Sequence, residues 1–151
     1  APHFFFNVTA TTEMFSLSLH DALPLSTWNV ESIFDTKKLG RQGEEAAAVF
    51  LKEAGYEILA RNFRTPRGEI DIVAGTGQTV AFIEVKTRRT TRFGRPAAAV
   101  DYRKQQKIIQ SARWFLRQRH LDGCLCRFDV IEVCVAGERW EIHHLPGAFE
   151  T

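Results

Sequence analysis

Three ionisable residues, Asp71, Glu84 and Lys86, stand inside two otherwise apolar runs, "GEIDIVA" (68–74) and "TVAFIEVK" (79–86). Burying a charge without a partner costs several kcal/mol or more, so these residues must answer one another or something bound to them. Side chains alternate between the faces of a strand, which puts Glu84 and Lys86 on one face together with Phe82. With a hairpin turning about the Thr76–Gly77 bond, Asp71 falls opposite Phe82 and diagonal to Glu84. All three charges then share a face, with the two carboxylates roughly 7–8 Å apart at Cα. Two carboxylates that close repel unless a cation sits between them. A divalent ion held by oxygens at about 2.0–2.5 Å bridges such a gap; Lys86 supplies part of the positive charge and Mg²⁺ or Mn²⁺ the rest. Taken alone, Glu84-x-Lys86 reads more readily as an ion pair on a half-exposed sheet; Asp71 at matching parity and Glu44 at the helix edge shift the balance towards chemistry.

The elements that must position these residues follow from the surrounding pattern. A helix is expected from Leu39 to Ala54, with Ala47, Phe50, Leu51 and Ala54 at i, i+3, i+4 and i+7 as its apolar stripe and Gly55 as its C-terminal cap. At 100° per residue Glu44 borders that stripe, where it can join the carboxylates on the sheet, whereas Glu45 lies almost opposite and faces solvent. The neighbouring Gly43 lets something approach closely. "YEILARNFR" (56–64) reads as a strand, and the two charged runs form a hairpin through Gly75-Thr76-Gly77-Gln78. A second helix runs from Tyr102 to Arg119 on Ile108, Ile109, Ala112, Phe115 and Leu116. "RFDVIEVCV" and "RWEIHHL" close the domain as strands. The order α-β-β-β-α-β-β implies an α/β fold, a mixed five-stranded central sheet flanked by helices.

At 151 residues the chain is expected to be one domain, 36–151, preceded by a disordered or artefactual extension, 1–35. The extension has four acids and no Lys or Arg, so residues 36–151 hold 20 basic and 14 acidic residues, net +6. Lys86, Arg88, Arg89, Arg92 and Arg95 crowd ten residues directly after the carboxylates. Lys104, Lys107, Arg113 and Arg117 continue along the second helix. Such a distribution suits an anionic partner bound through phosphates, without sequence preference and with salt sensitivity, or else a solvated basic face. Cys124, Cys126 and Cys134, an odd count with no secretory signal, suggest reduced thiols and a cytoplasmic setting. Cys134 reads as a core residue. Cys124-x-Cys126 is not a usual zinc-knuckle spacing, although His143 and His144 could complete a site with it. Asp129 is a lesser candidate for the site and reads more readily as an acid at a sheet edge paired with Arg127 or Arg139. No apolar run approaches the roughly 20 residues of a membrane helix.

"GRQGEEAA", "GYEILARNFR", "GEIDIVA", "FIEVKTR" and "RFDVIEV", in that order over residues 38–146, resemble the YraN family of bacterial proteins. An acid on the first helix, Asp on one strand and Glu-x-Lys on the next are similar to the wider PD-(D/E)xK nuclease superfamily, whose fold archaeal Holliday-junction resolvases share. The resemblance implies a restriction-endonuclease-like core. It places Glu44, Asp71, Glu84 and Lys86 at active-site positions, the first three as ligands of Mg²⁺ or Mn²⁺. Lys86 would then orient the attacking water or stabilise the phosphate. Ile70 stands where many members have the Pro before the Asp. The implied function is a metal-dependent endonuclease acting on DNA, including branched DNA, with a homodimer suited to symmetric cleavage of a junction. Arg88, Arg89, Arg92, Arg95, Lys104 and Lys107 would be its DNA contacts. The alternatives are a nucleic-acid-binding protein with a nuclease fold and no useful activity, and an accessory protein whose surface serves a protein partner.

Overall fold

A computed structural model describes residues 7–9, 12–17, 36–91, 93 and 99–151, and of 7–9 and 12–17 the backbone alone. The elements are β1 (Asn7–Thr9), β2 (Thr12–Leu17), α1 (Thr36–Glu53), β3 (Glu57–Thr65), β4 (Gly68–Thr76), β5 (Thr79–Arg89), α2 (Tyr102–Gln118), β6 (Leu125–Ala136) and β7 (Arg139–Phe149). The expected α-β-β-β-α-β-β order is present. Its five strands form a mixed sheet, to which β1 and β2 add an edge: β1-β2-β7-β6-β5-β4-β3. Only β5 and β6 are parallel. They are joined through α2, because a parallel return needs a long crossover.

The helices cover opposite faces. Leu39, Ala46, Ala47, Phe50 and Leu51 of α1 pack on Ile72, Ala74, Ala81, Ile83, Ile131, Val133 and Ile142. Ile108, Ile109, Ala112 and Phe115 of α2 pack on Ile70, Val73, Val80, Phe82, Phe128 and Val130. With both faces covered, the middle strands read as unbroken apolar runs rather than alternating ones: residues 80–83 of β5 and 128–135 of β6 are all buried. Burying each Leu, Ile or Phe contributes roughly 1.5–3 kcal/mol.

The ends of α1 follow local chemistry. Gly55, at φ 90, lets Gly55 N donate to Lys52 O and Tyr56 N to Leu51 O at 3.1 and 2.9 Å, so the expected glycine cap forms. Ala54, expected in the buried stripe, is exposed, because the helix ends at Glu53 and the chain has already turned.

The hairpin register differs from the expected one. Its turn is the two-residue Gly77-Gln78, with Gly77 at φ 57, so Thr76 pairs with Thr79 and Phe82 with Val73, not Asp71. A slip of two residues preserves the face of every side chain. It brings Asp71 level with Glu84 instead of diagonal to it.

Candidate active site

The site lies where β4 and β5 part. Their ladder ends at the pair Ile72–Ile83. Beyond it β4 continues on β3 while β5 continues on β6, leaving a fork with Asp71 on one arm and Glu84 on the other. Alternation also breaks on the β4 arm. Ile72 joins the core under α1, yet Ile70, two residues earlier, joins the core under α2. On β3 the residue level with Asp71 is Asn62, which takes φ 49 between the pairs Arg61–Ile72 and Phe63–Ile70. The irregular backbone turns Asp71 towards β5. Its Oδ2 accepts a hydrogen bond from Val85 N at 2.8 Å, replacing a backbone acceptor where the strands have separated.

Three carboxylates converge on this fork. Burial pushes the Asp71 carboxyl up to about 7, the adjacent Glu84 charge pushes the same way, and the Val85 N–H and Lys104 oppose them. Glu84 Oε2 is buried without a hydrogen-bond partner among the described residues. Glu44 arrives from α1; burial and then Asp71 raise its carboxyl above the ordinary value. With its amide nitrogen turned to the acids, Asn62 donates to Glu44 Oε2 and Glu69 Oε1 at 3.1 Å each. Glu45, expected in solvent, is half-exposed and pairs with Arg61 at 2.6 Å, since β3 extends beneath that side of α1.

α1 reaches the fork because Gly43 has no side chain. A Cβ there would lie 1.8 Å from Thr87 Oγ1 and 2.8 Å from Thr87 Cβ. The expected close approach is thus the contact of α1 with β5, and it sets the height of Glu44. On the other face Asp101 caps α2, its Oδ1 accepting from Lys104 N at 2.9 Å. The cap fixes the first turn so that Lys104 Nζ lies 3.4 Å from Glu84 Oε1.

The expected basic residues divide. Lys86 shares the Glu84 face, but its Nζ donates to Ala99 O at 2.7 Å, in the connection before α2. Lys104, expected along a DNA track, is the ammonium that answers Glu84. Arg88 Nε is bound to Glu132 Oε1 at 2.6 Å, which raises its pKa further. Arg89 and Lys107 are exposed. Arg92 and Arg95 lie outside the described residues.

Trp114 was not among the expected site residues. It is 51% exposed on α2, and with Arg67, Gln110, Arg113, Arg117 and Gln118 it lines an open groove of about 760 Å³. It stands ten positions after Lys104, about 15 Å further along the helix. Its signal was available: an aromatic at the i+4 and i+7 positions from Gln110 and Lys107 on a solvent-facing basic stripe.

Asp129 is not an edge acid. It is fully buried on the inner strand β6, where Arg127 grips it at 2.8 and 2.9 Å and His144 and Gly147 N complete its partners. Arg139 pairs with Glu141 instead. The Cys124/Cys126 pair does not meet His143 and His144. Cys126 precedes Ile131, the partner of His144, by five residues of extended strand, about 16 Å.

The carboxylates fit a divalent ion. Asp71 and Glu84 lie level on the parting strands and act on one another, Glu44 adjoins Asp71, Glu84 Oε2 lacks a partner among the described residues, and Lys104 is paired with Glu84. Asp71 and Glu84 would hold such an ion, with Glu44 directly or through water.

Among the described residues no helix is long and apolar enough to cross a membrane. Residues 43–133, which include every one of these carboxylates, match the model of the uncharacterised protein family UPF0102. A UPF0102 protein of Syntrophotalea carbinolica is 49% identical over 75% of this chain and 92% of its own length. One of Geobacter metallireducens is 48% identical over 76% and 93%, and one of Caldicellulosiruptor saccharolyticus is 45% identical over 75% and 98%. The fold, the order of the motifs and these likenesses agree: the chain belongs to UPF0102, the YraN family, within a nuclease-like superfamily.

Proposed function

We propose that the protein is a cytoplasmic, metal-dependent endonuclease that hydrolyses phosphodiester bonds in DNA, branched DNA included. The observation that carries this reading is the fork: Asp71 and Glu84 side by side on parting strands, with Glu44 beside them and two ammonium groups at the rim. A bound Mg²⁺ or Mn²⁺ would acidify the attacking water and stabilise charge on the scissile phosphate. Asp71 and Glu84 would give up their mutual repulsion on binding it. Lys104, which now answers Glu84, would be freed towards a phosphate oxygen. Lys86, held at the rim by Ala99 O, would face the same phosphate. Arg89, Lys107 and the groove around Trp114 would carry the rest of the strand through sequence-independent contacts. A two-fold homodimer would cut a four-way junction symmetrically.

The test is single-turnover cleavage of branched, duplex and single-stranded DNA with Mg²⁺ and with Mn²⁺. Asp71→Asn should abolish cleavage and Lys86→Ala should slow it roughly 10²–10³-fold, the loss expected for one transition-state stabiliser, while both retain most of the binding. Equal cleavage by wild type and Asp71→Asn would sink the reading. One observation favours a second reading, a binding module without useful activity: the Lys86 ammonium is already engaged by a backbone carbonyl. Tight DNA binding with no cleavage of any substrate by the wild type would establish it.

A further inference from the structure

One row of polar side chains belongs to neither the fork nor the groove. It lies on β6 and β7, on the α2 side of the sheet. Glu132 and Cys134 alternate on β6, and opposite them on β7 stand His143 and Glu141. Glu132, Cys134 and His143 are each 1% exposed and Glu141 is 5% exposed. One ligand atom each from Glu132, Cys134 and His143 lies within 4.8 Å of the others. Arg88 Nε holds Glu132 Oε1 from β5. His143 is the anomaly. Both its ring nitrogens are buried without a hydrogen-bond partner among the described residues. Its Nε2 lies 3.5 Å from Glu141 Oε2, which also lacks one. A buried polar group left unsatisfied is costly, and a native structure meets that cost only for a reason, an ion among them.

We propose that Glu132, Cys134 and His143 form a buried site for a divalent transition metal of the Zn²⁺ class, with Glu141 Oε2 beside His143. A thiolate, an imidazole nitrogen and carboxylate oxygens are a zinc donor set, softer than the all-oxygen fork, which suits Mg²⁺ or Mn²⁺. The metal replaces the thiol proton of Cys134, which leaves to solvent, and it satisfies a His143 nitrogen that has no hydrogen-bond partner among the described residues. Closed from water and with its ligands on adjacent strands, the site is structural: it ties β6 to β7 and, through Glu132, holds Arg88. The proposal does not depend on the nuclease reading.

The test uses full-length protein carrying Glu84→Gln, which disables the fork, expressed in Co²⁺-supplemented minimal medium. A thiolate-to-cobalt charge-transfer band in the near ultraviolet and intense visible bands of four-coordinate Co²⁺ are expected at one equivalent per chain. The charge-transfer band should vanish in Cys134→Ser, and His143→Gln should weaken metal retention against a chelator by more than about tenfold. If Cys134→Ser does not fold, the Cys124→Ser/Cys126→Ser protein decides: its band must persist. Absence of the band in otherwise wild-type ligands, its survival in Cys134→Ser, or its loss with Cys124 and Cys126 would each overturn the proposal.

Discussion

Asp71 concentrates the electrostatics of the fork, and its titration has a definite sign. The ordinary carboxyl value of 3.8 is raised to about 7 by burial and then by Glu84. Between those values the metal-free folded chain holds a proton that the unfolded chain has lost. The folded state then binds more protons, so Asp71 makes stability fall as pH rises through that window. Glu44, also raised, acts in the same direction. Thermal melts in EDTA should therefore show a decline from about pH 4 to about pH 7 that is shallower in Asp71→Asn. The stabilising shift given by Mn²⁺ should grow over the same range, as Asp71 yields its proton to the ion. An unchanged slope in Asp71→Asn would mean that burial and Glu84 do not raise the Asp71 carboxyl.

Among elements, α1 carries a contact that no other position could accept. Gly43 lies against the side chain of Thr87, and a Cβ there would lie 1.8, 2.8 and 2.9 Å from its Oγ1, Cβ and Cγ2. Thr is branched at Cβ and cannot swing its far end away. Alanine would gain up to about 1 kcal/mol of helix propensity, against about 1–3 kcal/mol for overpacking. Gly43→Ala should thus be net destabilising by urea unfolding, and it should lift Glu44 from the fork and weaken Mn²⁺ binding. Adding Thr87→Ala removes Oγ1 and Cγ2 and should recover part of both. Equal stability of Gly43→Ala and wild type would show that α1 can shift without penalty.

Across the whole molecule, positive charge and an exposed aromatic lie along one helix that begins at the carboxylates. Trp114→Ala should cost a single-stranded oligonucleotide about 1–3 kcal/mol of binding, the worth of one stacked base, and Trp114→Phe should restore most of it. Replacing Arg113 and Arg117 with Ala should instead flatten the dependence of log K on log salt by up to about 1.4, at about 0.7 per single-strand phosphate contact. Fluorescence anisotropy across a salt series separates the two. A salt slope unchanged by loss of both arginines would leave the groove outside the binding path.

Local periodicity determined much of this protein. The apolar runs, the glycine turns and the helical stripe were legible because each reports neighbours three or four residues away, or two. The parity of Glu84 and Lys86 followed for the same reason, as did the identity of Glu44 as the acid facing the sheet. Tertiary structure alone decided the rest. The hairpin register moved by two because the turn closes on Gly77-Gln78, and the parting of β4 from β5 depends on each strand finding a different outer neighbour. Lys104 rather than Lys86 answers Glu84 because the Asp101 cap aims the first turn of α2. Arg88 is tied to Glu132, and His143 is set beside Cys134, because β5 and β6 run parallel and β7 turns back on β6. Such pairings join residues up to 44 positions apart, and no pattern within a strand specifies which strand will lie next to it.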